Sequence, residues 1–398
     1  MFINIPRATA LMKAAGVDGI ISATLENNFY LSGVWDDGQE LFPLDGEFYA
    51  VATADAPEAG IVVCSIGAAD LTLGGYPTLK DVVTFGTFFR DMVDGVSLNA
   101  DEQRVLDITT AHQVGRSAVD ALAEAITRLG LAEGTIAVDE RGPNRNLLAA
   151  LAEKLPGARF QPASTLFRAI RAVKTAEEIE RVTQALRITE AGLRAAWAEF
   201  AEGVSEKAVQ NAFERAVTAE GGRTGFCLVR FGKGLALGQI PASEDIKLAA
   251  NDFAFFDVGI KYRGYRSDIG RLVSFGEPSD ELRFLFEASK AGQQTAIDMM
   301  RPGVVAKDVF EAAVQAVRDA GIPTYKRQHV GHGIGIEYYD LPVLTPNADT
   351  VLEPGMVFEV ETPYYRLGVG GSFIEDTVLL TEGDSAILTT LSRDLIVL

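Results

Sequence analysis

The sequence predicts a two-domain α+β protein, and three observations carry that prediction. Residues 1 to about 170 alternate helix-like and strand-like runs in the manner of an α/β domain. A helix start at Thr175 then opens a long amphipathic stretch, which marks a second domain. Beyond it, the order helix, helix, acidic hairpin occurs twice. The boundary falls at Arg171–Thr175, giving domains of residues 1–170 and 171–398.

In the first domain Ala8–Ala15 has helical periodicity, and Gly19–Ala23, Phe48–Ala52 and Gly60–Cys64 are apolar runs of strand length. Trp35, Asp36 and Asp37, which follow Asn27–Gly33, read as solvated loop residues, and His112 as a surface residue near the start of a helix. At the boundary Thr175 and Glu178 form a capping box, after which Ile179, Val182, Leu186, Leu193, Trp197 and Phe200 share one helical face. Ser205 caps a further helix in which Val209, Phe213 and Val217 recur every four residues. After the first acidic hairpin come helices over Asp280–Met299 and Asp308–Ala320, the latter with Phe310, Ala313, Val314 and Val317 inward. Met356–Pro363 and Ser372–Thr377 are the second pair of acidic strands. Two such halves would set their carboxylates about a pseudo-twofold axis, an inference from element order, because residue identity between the halves is weak.

The chemistry concentrates in these hairpins. A turn centred on Tyr262 and Arg263, with Gly264 left-handed, makes Asp257 and Asp268 cross-strand partners about 5 Å apart at Cβ. Two ionised aspartates that close repel, unless one is protonated, both are solvated, or a cation sits between them. The segment His329–Gly335 holds two of the three histidines of the chain, and its glycines let backbone approach closely around an imidazole. Glu361 and Glu375 lie in apolar strands with few basic neighbours, where an ionised carboxylate needs a cation. Asp257, Asp268, His332, Glu361 and Glu375 therefore form a hard, oxygen-rich set able to bridge two divalent ions. Glu359 shares the strand face of Glu361, as a supporting or solvated group, whereas Asp376 faces the other way and is structural.

The order Asp257, ten residues, Asp268, then Gly331-His332-Gly333-Ile334-Gly335, Gly355-Met356-Val357-Phe358 with Glu361 after it, and Ile374-Glu375-Asp376-Thr377 resembles the pita-bread metallopeptidases: methionine aminopeptidase, aminopeptidase P, prolidase and creatinase. The resemblance spans the chain, because a front domain of about 170 residues is similar to prolidase, aminopeptidase P and creatinase. It implies a creatinase-type α/β N-terminal domain and a C-terminal pita-bread domain of pseudo-twofold α+β architecture. It implies too that Asp257, Asp268, His332, Glu361 and Glu375 hold two divalent ions, of Mn, Co, Zn or Fe, with Asp268 and Glu375 bridging. A homodimer is the family expectation, and the Asn27–Gly33 stretch with Trp35 resembles a loop that reaches a neighbour's active site.

The chain also departs from the family pattern. Tyr339 stands seven positions after His332, where relatives carry a histidine, and Gly238-Gln239-Ile240-Pro241 lacks the histidine usual before the first aspartate. Phe373 replaces the arginine typical two positions before the last glutamate, and Gly270 replaces a threonine beside the retained Arg271. His329 lies three positions before His332, where prolidase-like relatives place a histidine four before. A metal-bridged hydroxide could still form without a histidine base. Tyr339, His329, Gln239 and Tyr265 are then the catalytic candidates, Tyr338 a further donor, and Arg230, Arg266 and Trp35 the substrate contacts, with Arg223 and Arg263 also able to hold a carboxylate. The resulting expectation is a dinuclear hydrolase of a small amide, amidine or peptide-like C–N bond. The alternatives are an Xaa-Pro peptidase using tyrosine in place of histidine, a metal-dependent lyase on a small carboxylate, and a non-catalytic binding protein, which would have no need of five costly ionisable groups.

Composition narrows the setting. With 398 residues and 47% hydrophobic content the chain can bury two cores. A net charge of −19 disfavours nucleic acid and anionic membranes as partners and leaves a small-molecule or short-peptide substrate. Cys64 and Cys227 lie in apolar runs without a metal or disulfide spacing, and no apolar stretch reaches membrane-spanning length, so the expected compartment is the cytoplasm.

Overall fold

A computed structural model of the chain describes residues 2–73 and 79–398, which form two compact units, Met1–Arg171 and Ala172–Leu398. The first unit contains α1 (Ile5–Ala14), β1 (Gly19–Ser22), α2 (Leu25–Ser32), α3 (Asp37–Leu41), β2 (Phe48–Thr53), β3 (Gly60–Ser65), β4 (Leu79–Phe85), α4 (Ala100–Ala111), α5 (Ala118–Arg128), β5 (Thr135–Val138), α6 (Leu147–Lys154), β6 (Arg159–Pro162) and α7 (Ser164–Arg171). Helix α1 starts before Ala8 because the Asn4 side chain accepts from the Arg7 amide and Pro6 suits the first turn. The sheet order is β4-β3-β2-β1-β5-β6, with β1, β2 and β3 antiparallel and the outer pairings parallel.

Two readings in this unit are corrected. Asn27–Gly33 is mostly helix α2, closed by Gly33 at φ 80°. Its asparagines are core groups: Asn27 Nδ2 donates to Asp139 Oδ2 at 2.7 Å, and Asn28 Nδ2 donates to the Phe48 carbonyl at 2.6 Å. Polar residues that read as a loop are thus hydrogen-bonded inside the fold. His112 ends α4, and its ring is tied to Thr84 Oγ1 at 2.8 Å and the Gly86 carbonyl at 3.0 Å.

The second unit contains α8 (Ala176–Ala198), α9 (Glu206–Ala219), β7 (Arg223–Phe231), β8 (Phe253–Tyr262), β9 (Tyr265–Ser274), α10 (Asp280–Met299), α11 (Ala306–Asp319), β10 (Gly331–Gly333), β11 (Asp340–Val343), β12 (Val357–Glu361), β13 (Tyr364–Arg366), β14 (Gly370–Ser372), β15 (Glu375–Leu380), β16 (Ser385–Ile387) and β17 (Ile396–Val397). Thr175 caps α8 through the capping box with Glu178, and Ser205 caps α9. Helix α8 stops at Ala198, so Phe200 lies beyond it and stacks on Phe256 at 6.1 Å. The sheet runs β11-β10-β12-β15-β9-β8-β7, with β16 on β15 and β17 on β9. Each half supplies a helix pair and then antiparallel strands, and the halves meet where Glu375 of β15 pairs with Gly270 of β9. Among the described residues no helix is long and apolar enough to cross a membrane.

The register of the first acidic hairpin differs from the expected one. Both Arg263 (φ 47°) and Gly264 (φ 87°) are left-handed and form a two-residue turn between the paired Tyr262 and Tyr265. Asp257 consequently pairs with Gly270, and Asp268 with Gly259. The two aspartates become diagonal neighbours on one face, because a shift of two residues preserves the face. The second acidic segment is broken at Phe373 and Ile374, which turn into an apolar cluster with Leu235, Phe255, Leu272, Leu282 and Phe286.

Candidate metal centre

The registers line up a transverse row across four strands. Asp257 on β8 faces Gly270 on β9, Gly270 faces Glu375 on β15, and Glu375 faces Glu361 on β12. Adjacent strands lie about 4.8 Å apart, so the row sets three carboxylates across a short span with a glycine among them. Asp268 joins the same face two residues from Gly270, and β10 adds His332 opposite Glu359. Asp268, His332 and Glu375 each offer a ligand atom within 4.8 Å of the others, and all three side chains are buried.

Burial and mutual repulsion govern the charges. Burial, then Glu361, push Asp257 up to about 8 against the pull of Arg327. Burial, with repulsion from Asp257, Glu359 and Glu361, holds Asp268 well above the usual carboxylate range. Burial, then Asp268 and Glu361, do the same to Glu375, and burial raises Glu361 and Glu359 as well. Glu359 accepts from Thr377 Oγ1 at 2.8 and 2.9 Å and stands behind the row. Burial lowers His332 to about 4, so the imidazole is neutral at pH 7. Its Nδ1 donates to the Gly333 carbonyl at 3.1 Å, which leaves the Nε2 lone pair for a ligand. Asp268 Oδ1 is buried without a hydrogen-bond partner.

An open cleft of about 460 Å³ leads to Asp257 and Glu361 and is lined also by Gln239, Arg327, Gln328, His329, Tyr339 and Tyr365. The Tyr339 ring stacks on His332 with centroids 3.7 Å apart and is 47% exposed. His329 stands edge-on to both rings, with Nδ1 3.3 Å from Glu361 Oε1, and burial lowers it to about 4. Gln239 is exposed on the cleft wall.

Three other expected contacts lie elsewhere in the second unit. Tyr265 is fully buried, with its hydroxyl donating to Glu178 Oε1 at 3.0 Å, because the two-residue turn starts β9 at this position and packs the ring under α8. Arg230 is buried in an ion pair with Glu206 at 2.9 Å and donates to the Pro241 carbonyl at 3.0 Å. Arg266 donates to the Gly264 carbonyl at 3.0 Å and lies over the Tyr338 ring. None of these three lines the cleft. In the first unit Trp35 donates from Nε1 to Glu40 Oε2 at 2.9 Å and meets Phe29 edge-on. Sequence reasoning passed over Arg327 and Tyr365; the signal for Arg327 was its place five residues before His332, in the stretch leading to the histidine loop.

The departures at Gly270 and Phe373 are one packing unit. A Cβ added to Gly270 would fall inside the Phe373 ring, far closer than van der Waals contact. That ring is 1% exposed and meets Phe255 edge-on at 5.0 Å. The aromatic side chain therefore occupies the space over the glycine and walls one side of the carboxylate row with hydrocarbon.

The sequence profile of metallopeptidase family M24 matches residues 180–382. An Xaa-Pro dipeptidase of Lactobacillus delbrueckii subsp. lactis is 33% identical over 267 residues, covering 66% of this chain and 72% of the relative. An Xaa-Pro dipeptidase of Pyrococcus furiosus is 32% identical over 246 residues, covering 61% of this chain and 70% of the relative. The crystal structure of a dipeptidase from Pyrococcus horikoshii OT3 superposes with a TM-score of 0.79 over 99% of both chains at 23% identity, a likeness of fold.

Proposed function

From its place in metallopeptidase family M24, to which this chain belongs as a metal-dependent hydrolase, we propose that the cleft cleaves the C–N bond of a dipeptide-sized or similar small amide substrate. Asp257, Asp268, His332, Glu361 and Glu375 would hold two divalent ions. The observation that carries this reading is the row of carboxylates across β8, β9, β15 and β12, joined by Asp268 and His332. The residues fit cations: Asp268, His332, Glu361 and Glu375 are buried and Asp257 is half-buried at the cleft, the carboxylates repel one another, and Asp268 carries an orphaned oxygen. When bound, such ions supply Lewis-acid polarisation of the scissile carbonyl and activation of water at neutral pH.

The chain's own residues do the rest. Burial, then Glu361, raise the Tyr339 phenol above its ordinary value, so at neutral pH it is a protonated donor at the cleft wall, suited to an oxygen developing negative charge. Gln239 adds an amide donor on the same wall. Neutral His329 stays on the cleft wall with Nδ1 3.3 Å from Glu361 Oε1. The hydrocarbon wall at Phe373 keeps water from one side of the row. The cleft volume of about 460 Å³ suits a small ligand, and the Xaa-Pro dipeptidase relatives support a dipeptide scale. We further propose a homodimer, as the family resemblance implies, and a cytoplasmic setting, which the buried free thiols Cys64 and Cys227 fit.

Metal content per chain, measured on protein purified without chelator and on Asp268→Ala and His332→Ala, tests the assignment. About two divalent ions in the parent, lost together with dipeptide turnover in both variants, is the expected result. A parent that takes up no metal after loading with Mn or Zn overturns it.

A further inference from the structure

A dipeptide-sized substrate carries a carboxylate that Asp257 and Glu361 in the cleft would repel unless a cation meets it. The arginine position implied by family resemblance is Phe373, whose ring is buried over Gly270. Arg230 and Arg266 are committed away from the cleft. Arg327 is the one cationic side chain on the cleft wall among the described residues.

Its surroundings set it apart from a structural arginine. The side chain is 11% exposed, and its Nε is buried without a hydrogen-bond partner. Its guanidinium lies over the Tyr365 ring at 5.9 Å, which fixes the plane while leaving the N–H edge to other partners. Its recorded carboxylate contact is long, 3.5 Å from Nη2 to Glu361 Oε2, and Glu361 is a member of the proposed ligand set. Contrast Arg271, which reaches Asp376 at 2.6 Å and two backbone carbonyls at 2.6 and 2.8 Å. A guanidinium held on an aromatic ring beside a charge that cations would take up is a receptor for an external anion.

We propose that Arg327 receives the free carboxylate of the substrate and so selects acids over their amides at the metal row. The inference rests on the dipeptide reading above. Its residue is absent from the chemistry of bond cleavage, so it acts on binding.

The probes are a reduced-bond Ala-Pro analogue, in which a methylene replaces the scissile carbonyl, and the carboxamide of that analogue. Affinities are measured by calorimetry on the metal-loaded parent, Arg327→Met and Arg327→Lys. The parent binds the acid roughly 10–100-fold more tightly than the carboxamide, the scale of a charge-assisted hydrogen bond. Arg327→Met loses that preference with carboxamide affinity and metal content unchanged, and Arg327→Lys keeps part of it. A preference that survives in Arg327→Met overturns the role of Arg327 and leaves the dipeptide reading standing. A variant that loses metal while keeping the acid preference shows a counter-ion of Glu361, which also overturns it. A parent that binds neither probe overturns the dipeptide reading and this inference together.

Discussion

Gly270 and Phe373 should behave as a single packing unit, and a double-mutant cycle measures this. Gly270 lies in ordinary strand backbone, so Gly270→Ala carries no left-handed penalty, and restricting the unfolded chain would by itself stabilise by about 0.4–1 kcal/mol. The added methyl, however, falls inside the Phe373 ring, which is pinned by Phe255 and Leu272. Overpacking of this kind costs about 1–3 kcal/mol and outweighs the gain. For a unit of 227 residues (172 to 398), each kcal/mol lowers Tm by roughly 2–4 °C. Phe373→Ala alone leaves a cavity and costs about 3–5 kcal/mol. In the double variant the methyl enters that cavity, so the loss falls short of the sum by about 0.5–3 kcal/mol. Urea unfolding followed by Trp197 fluorescence in a Trp35→Phe background reports on the second unit, because Trp197 meets Phe256 in its core. Additive losses, or a Gly270→Ala protein as stable as its parent, would refute the argument.

Three other outcomes follow from the same geometry. Tyr339→Phe keeps the ring on His332 and removes the hydroxyl, so kcat should fall roughly 10²-fold with metal content unchanged, and an unaltered kcat would remove Tyr339 from catalysis. Glu178 is raised to about 7 by burial, against hydrogen bonds from the Thr175 amide and Tyr265. Its folded value exceeds the unfolded one near 4.3, so its contribution is full below about 4.3 and is lost as pH rises through about 7. Melting curves at pH 5 and 8 should therefore show Glu178→Gln gaining on the parent as pH rises; a constant difference would contradict the shift. Asp376→Ala strips the partner from Arg271 and from Arg393, whose Nε lies 3.0 Å away, and should cost about 3–5 kcal/mol in urea unfolding, whereas a loss under about 1 kcal/mol would mean that solvent replaces the pair.

The sequence was most legible where chemistry and periodicity coincide. The capping box at Thr175, the helix over Asp280–Met299 and the acidic strands rest on local patterns, which local physics obeys. The turn was misplaced by one residue because Arg263 is left-handed, a conformation that its side chain does not advertise. The family resemblance put Asn27 and Asn28 in a loop, and nothing local reveals that Asp139 and Phe48 wait for them across the fold. Tyr265 was a catalytic candidate as a phenolic donor in place of the missing histidines, yet the shifted turn sends it to Glu178. Arg327 was passed over for a related reason: it lies 34 residues before Glu361, and only the sheet brings them together.

The neighbouring Glu375 and Asp376 show how the fold sorts charge. Their side chains leave β15 on opposite faces. On the Asp376 face, burial would raise the carboxyl, but Arg271, Thr389 and Arg393 more than offset it and bring Asp376 below its ordinary value. On the Glu375 face burial and like charges leave the carboxyl well above its ordinary value. The arginine that could relieve it, Arg271, sits on β9 next to Gly270, yet its side chain goes to the far face. One face is thus completed by cations of the chain itself, and the other gathers Asp257, Asp268, Glu361 and Glu375 around a histidine held neutral. A sheet that supplies arginines to one face and withholds them from the other has placed its carboxylates for cations from outside the chain, and the weakly held Arg327 at the margin is then available to the substrate.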